Sequence, residues 1–334
     1  ARPDWREGQD ALARMRAEAG AGEGFDAGYR AAIAARPLDP ALALGHVACL
    51  LTAAQPVAAL AALDGLVALL GRSPAADLYE AMAATDAGDV DRARAALARV
   101  GEVPAAALPR ARLALRTGAP DVAAALLEPL ARADLDAVSL WAHLDIAWRM
   151  MGDDRHAWLS GQPGLVATQD IDYEDDWQAL AAVLRGLHHA RAHPIGQSLR
   201  GGTQTRGRLF GRPEPEIARL AEAIMAAVRR HLAALPPADP SHPLLRDRGR
   251  SPRFSGSWSV RLTDGGFHVA HVHPQGRLSS ACYIALPGGI DGPDRPGWLE
   301  VGGPPTELGL DLKPLHLIRP QPGRLALFPS TLFH

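Results

Sequence analysis

GFHVAHVHPQGRLSSACYIALP, residues 266–287, alternates apolar and polar side chains, breaks at proline and glycine, and alternates again. Period-two alternation marks half-buried strands, so this stretch makes the C-terminal part of the chain β. It also carries three histidines within six positions, His268, His271 and His273. Residues two apart on a strand point the same way. That rule places His271 and His273 on one face, continued by Val269 and Phe267, and turns His268 to the other. Two imidazoles on one rigid face suit a single metal ion; the competing reading is a hydrogen-bonded or surface pair.

The flanks extend the pattern. SWSVRL (257–262) alternates before a turn at Gly265 and Gly266, and SSACYIALP (279–287), GWLEVGG (297–303), LHLIRP (315–320) and GRLALFP (323–329) follow. Short strands with Gly/Pro turns predict a small barrel or jelly roll. LFPSTLFH places His334 just after a strand, 61 residues beyond His273. Non-haem Fe(II) oxygenases hold iron by a facial triad, usually two histidines and a carboxylate, with positions left open. Two early ligands and one late one match that layout. Asp264 and Glu300 are alternative carboxylate ligands, although neither shares the strand face by counting.

Upstream of residue 165 the chain is rich in alanine and leucine at helical spacing. LYEAMAATDAGDVDRARAALARV (78–100) breaks at Gly88, RARLALRTGAPDVAAALLEPLARA (110–133) breaks at Gly118–Asp121, and MMGDDRHAWL (150–159) breaks at Gly152. Gly88, Gly118 and Gly152 are 30 and 34 residues apart, close to the ~34-residue tetratricopeptide period. Each helix pair must stack on its neighbour to bury its apolar face, and Ala84, Ala95 and Ala96 predict close helix approach. An irregular helical bundle is the alternative. Residues 174–192 and 214–235 predict two more helices. Between them HPIGQSLRGGTQTRGRLFGRP (193–213) is polar and glycine-rich, and RGGTQTRGR (200–208) is expected to form a loop over the barrel mouth.

Composition narrows the function classes. The 334 residues are 47% apolar and 22% charged, with a formal net charge of -2. That balance, without aromatic residues interleaved among the basic ones, argues against nucleic-acid binding. No apolar run is long enough to span a bilayer, and the N-terminus lacks the progression of a signal peptide; a cytoplasmic location is expected. Cys49 and Cys282 lie in apolar stretches and predict core residues. His188, His189, His193, His231 and His242 predict surface or packing roles.

SGSWSVRL (255–262), GFHVAHVHPQGRLSSACYIALP, GWLEVGGPP (297–305) and RPQPGRLALFPSTLFH (319–334) together resemble the 2-oxoglutarate- and Fe(II)-dependent oxygenases that follow tetratricopeptide repeats in bacterial proteins. HPIGQSLRGGTQT (193–205) is similar to a stretch preceding the barrel in that group. The resemblance covers residues 155–334 and the repeats in style only. It implies an α+β chain: an all-α tetratricopeptide-like repeat domain over 1–165, then a double-stranded β-helix (jelly-roll) oxygenase domain over 166–334. That second domain has a helical lead-in, 166–250, and a core, 251–334, apparently without its last strand, since the sequence stops at His334. The resemblance implies metal ligands His271, His273 and His334, with His273 standing where a carboxylate is usual. It also implies 2-oxoglutarate and O2 as co-substrates, with Tyr283 and Ser279 at the 2-oxoglutarate carboxylate; a core aromatic is the alternative for Tyr283. The basic partner usually follows the last histidine, leaving Arg261 or Arg277 as substitutes. The implied activity is hydroxylation of a substrate, which the repeats suggest is a protein or peptide. A three-histidine oxygenase without 2-oxoglutarate and a non-catalytic repeat-based interaction module are the alternatives.

Overall fold

Glycine and proline punctuate the helical half as their backbone preferences require. In the computed structural model, which describes every residue except Ala1, Pro3, Asp175, Asp291 and the side chain of Asp264, the helices are α1 (Arg6–Glu18), α2 (Ala27–Ala35), α3 (Pro40–Thr52), α4 (Pro56–Leu70), α5 (Pro74–Ala87), α6 (Val90–Val100), α7 (Ala107–Arg116), α8 (Pro120–Ala133), α9 (Val138–Met151), the short α10 (Arg155–Leu159), α11 (Trp177–Gly186) and α12 (Pro215–Ala234). Gly88 and Gly152 close α5 and α9 in the left-handed region, at φ +82° and +66°, where the missing Cβ removes the usual penalty. Asp89 then caps α6 by accepting from Arg92 N at 3.1 Å, and Ser73 and Asp39 cap α5 and α3 in the same way.

From α3 to α9 each helix packs mainly on its sequence neighbour, the arrangement of a helical repeat array. Ala81, Ala84, Ala93 and Ala96 are fully buried. Ala95, expected among them, is exposed: Ala93 and Ala96 are three apart and share a helix face, which excludes the position between them.

The strands are β1 (Ala167–Asp170), β2 (Leu199–Gln204), β3 (Val260–His268), β4 (Leu278–Cys282), β5 (Leu299–Val301), β6 (His316–Ile318) and β7 (Arg324–Pro329). All pairs are antiparallel, in sheets ordered β1-β7-β4, β2-β3 and β5-β6. The architecture is therefore α+β. In central β7, Leu325 and Leu327 join the core with α11 and α12, while Ala326 and Phe328 join Val301, Ile318 and Leu332 on the other side.

Four expectations change. The stretch 200–208 is not a free loop, because Leu199–Gln204 forms β2. Gly265 and Gly266 do not separate two strands: β3 runs through them, and both its ends pair with β2, Arg200 opposite Phe267 and Gly202 opposite Leu262. Residues 263–266 are an excursion facing Gly201, where a Cβ on Gly266 would lie 2.0 Å from the Gly201 carbonyl oxygen. Finally, β3 ends at His268, so His271 and His273 lie beyond the strand. Alternation cannot show which strand is the partner, and that partner is about sixty residues upstream. The expected helix over 174–192 is shorter, as α11.

The helical and strand-bearing parts share a core. Trp141, Leu144 and Trp148 of α9 cluster with Leu308 and Phe333, and Ala270 and Val272 pack against them. Arg149 donates to the carbonyls of Gly302 and Lys313, and Arg116 to that of Glu307.

Candidate metal centre

His271 and His334 meet through their backbones. Each N–H donates to the other's carbonyl at 3.1 Å, fixing the two residues opposite one another as in an antiparallel pair. The flanking apolar residues face the other way into the helical core: Ala270 and Val272 on either side of His271, and Phe333 before His334. Phe333 also stands edge-to-face on His143 of α9, centroids 5.3 Å apart. The repeat array thus seats both segments that carry the histidines.

His271, His273 and His334 converge, each with a ring nitrogen within 4.8 Å of the others. Nδ1 of His271 donates to the Val269 carbonyl at 3.0 Å, and Nδ1 of His334 to that of Leu332 at 3.1 Å. Those bonds set the tautomer and leave each Nε2 with a free lone pair, the usual outer support of a metal-binding imidazole. Nε2 of His273 lies 3.1 Å from Nε2 of His334, close enough for the two rings to share one ion or one proton.

Burial holds these rings neutral. It lowers His273 to about 4, with His271 and His268 adding repulsion. It lowers His271 as well, and His334 well below the ordinary histidine value. Neutral imidazole is the form that ligates. Three neutral nitrogens on one small centre fit a divalent first-row metal and leave coordination positions open, the donor set that suits iron, zinc, copper or nickel.

Strand parity fails for His268. Its Nδ1 is 2.9 Å from Ser198 Oγ, which is itself 3.3 Å from Nε2 of His271, and the His268 and His271 rings stack at 5.9 Å. Parity turned His268 away because it assumed a strand unbroken to His273. Trp258, 39% exposed, packs edge-on against His273 at 5.3 Å. Sequence reading missed both Ser198 and Trp258; the SerLeuArgGlyGly stretch was noticed, but nothing in it signalled a pairing with residues 268 and 269.

Ser279 and Tyr283 lie on the sheet face that carries Phe328: Ser279 pairs with Phe328 in register, and Phe328 contacts the His334 ring at 4.6 Å. The buried Ser279 hydroxyl bonds Ser330 Oγ at 2.8 Å. Burial pushes the Tyr283 phenol up to about 12, so it remains a donor. Its backbone N–H donates to Arg324 O at 3.0 Å, placing Arg324 across the sheet, where the guanidinium pairs with the exposed Asp170 at 3.3 Å. Arg277 is committed elsewhere, to Asp136 and Asp247, and Arg261 lies exposed on β3. Glu300 is exposed on β5 and outside the histidine group, and the side chain of Asp264 lies outside the described residues. His242 is buried, its Nδ1 accepting from Leu244 N and Leu245 N; His188 bonds Thr203 and Ser259. Both are packing residues, as expected. No helix among the described residues is long and apolar enough to cross a membrane.

A tetratricopeptide repeat protein from Parabacteroides merdae ATCC 43184, known from its crystal structure, is similar at 14% identity and a TM-score of 0.39, over 47% of this chain and 63% of its own. The chain thus spans less than two-thirds of that protein's length. No curated protein matches the chain. Residues 256–334, the segment that holds all three converging histidines, match the family described as "Putative 2OG-Fe(II) oxygenase".

Proposed function

We propose that the protein is an Fe(II)- and 2-oxoglutarate-dependent dioxygenase that hydroxylates a protein or peptide held by the helical repeats. The convergence of His271, His273 and His334, inside the segment that matches the oxygenase family, carries this reading. Iron bound there supplies the redox chemistry by which O2, 2-oxoglutarate and a C–H bond become succinate, CO2 and an alcohol. The chain's own part is to hold the metal through His271, His273 and His334, orient the co-substrate and exclude water. Tyr283 and Ser279 are the proposed donors to the distal carboxylate, and Arg324, across the strand from Tyr283, is its proposed basic partner, for which it would exchange its present ion pair with the exposed Asp170. Residues 1–165 act in this reading as the substrate-gripping unit and 166–334 as the oxygenase unit.

Succinate formation that requires both Fe(II) and 2-oxoglutarate, and disappears in His271→Ala, is the expected result. The absence of a carboxylate from the described histidine group favours one second reading, an oxygenase that uses no 2-oxoglutarate. It gains if iron binds stoichiometrically while no 2-oxoglutarate is consumed. Metal content unchanged in His271→Ala sinks both.

A further inference from the structure

Ser198 is held at the centre more firmly than a chance surface serine. Its carbonyl accepts from Val269 N at 2.9 Å, continuing the pairing of Leu199 with His268. The Arg200 guanidinium donates to the carbonyls of Gln197 and Leu199, each at 2.8 Å, clamping the backbone on either side. The hydroxyl then touches two imidazoles, and its single proton has one place to go. Nδ1 of His271 already donates to Val269, so Nε2 of that ring can only accept. Ser198 therefore donates to His271, and His268 Nδ1–H donates to Ser198 Oγ.

We propose that Ser198, held by His268, is a positioning residue of the metal centre. Its hydroxyl, 3.3 Å from His271 Nε2, is placed to hydrogen-bond a carboxylate ligand when a metal takes that lone pair. The proposal rests on the reading of the triad as a metal site. A half-buried hydroxyl whose oxygen stays fixed by His268 would otherwise be left with an unused proton beside the metal, and buried donors without acceptors are costly. A carboxylate oxygen entering next to His271 satisfies it. The charge nearby agrees: the Arg200 guanidinium lies close enough to act on the His268 ring. An anion is favoured beside it.

The full chain, titrated first with Co(II) alone and then, Co(II)-loaded, with 2-oxoglutarate, tests this through binding rather than turnover. Ser198→Ala is expected to bind Co(II) as well as wild type or a few-fold more tightly, because a competitor for the His271 lone pair is gone. Its 2-oxoglutarate affinity should fall by about 10- to 100-fold, the range of a hydrogen bond to a charged group. Ser198→Thr, which keeps the hydroxyl, should restore it, and His268→Asn, which keeps a donor near Nδ1, should fall between. Unchanged 2-oxoglutarate affinity in Ser198→Ala overturns the proposal. So does a parallel loss of Co(II) and 2-oxoglutarate in both Ser198 variants, which is the mark of a structural role. Failure of the wild-type protein to bind Co(II) refutes the metal reading beneath it instead.

Discussion

Replacing Phe333 tests whether the helical repeats position the metal ligands or merely precede them. The ring is 6% exposed, shares a core with Trp141, Leu144 and Trp148, and meets His143 edge-to-face. Its carbonyl accepts from Gly302 N at 2.6 Å, and the next residue is His334. Truncation to alanine removes a buried aromatic and leaves a cavity, at a cost of about 3–5 kcal/mol, with the lost edge-to-face contact falling inside that range. Such a loss is a large part of a typical domain's stability, so Phe333→Leu, at roughly 1–2 kcal/mol, is the informative partner. Chemical denaturation measures the first quantity and Co(II) titration of the folded variants the second. Both variants should bind Co(II) more weakly, Phe333→Leu by about tenfold, the effect typical of a perturbed outer support. A Phe333→Leu protein that is destabilised yet binds Co(II) with wild-type affinity would refute the reasoning: the His271–His334 backbone pair would then place the ligands unaided.

Three other outcomes follow from the same geometry. Burial lowers the His143 pKa to about 4 from 6.5, with its Nε2 left unpartnered; between those values the unfolded chain binds more protons, so stability is complete above pH 6.5 and declines toward pH 4 by up to about 1.4 kcal/mol per unit. His143→Leu should flatten part of that slope in denaturation curves taken from pH 7 to 4.5, and an unaltered slope counts against the assignment. Arg324→Gln should raise the KM for 2-oxoglutarate by about 10-fold or more with little change in Co(II) affinity; an unchanged KM removes Arg324 from the co-substrate site. Gly266→Ala puts a Cβ against the Gly201 carbonyl and should cost about 1–3 kcal/mol, read as a lower denaturation midpoint; a neutral effect means that the β2–β3 excursion is not as tight as described.

How far the sequence could be read depended on the range of the signal. Gly88 and Gly152 act within one helix turn, and their effect on α5 and α9 follows from backbone preference alone. The convergence of the three histidines was legible as well, because an HxH pair and a late histidine after an alternating strand need only a fold that brings the two segments side by side. Pairing at long range was not legible. Nothing local in RGGTQ says that it will lie against residues 260–268, so β2 read as a loop and the excursion at Gly265 and Gly266 read as a hairpin. The same blindness turned His268 outward, since parity holds only while a ladder holds and this one stops there. Ala95 shows the smaller version: composition named the helix, but only angular position chose Ala93 and Ala96 for the interface.

The histidine at position 273 gains a physical rationale from its neighbours. A carboxylate there would be half-buried beside Trp258 and three other imidazoles, and would bring one negative charge to the centre. With imidazole instead, three ligands on the proposed reading would add no charge, and the Arg200 guanidinium acts on the adjoining His268. A divalent metal at such a centre keeps its full charge, so an anionic ligand is drawn to it more strongly than to a site already partly neutralised. The Ser198 hydroxyl and the Tyr283 phenol, both able to donate, act in the same direction. On the proposed reading, an imidazole at position 273 and the neutral donors around it are two parts of one electrostatic arrangement, in which the negative charge would arrive with the co-substrate and not with the protein.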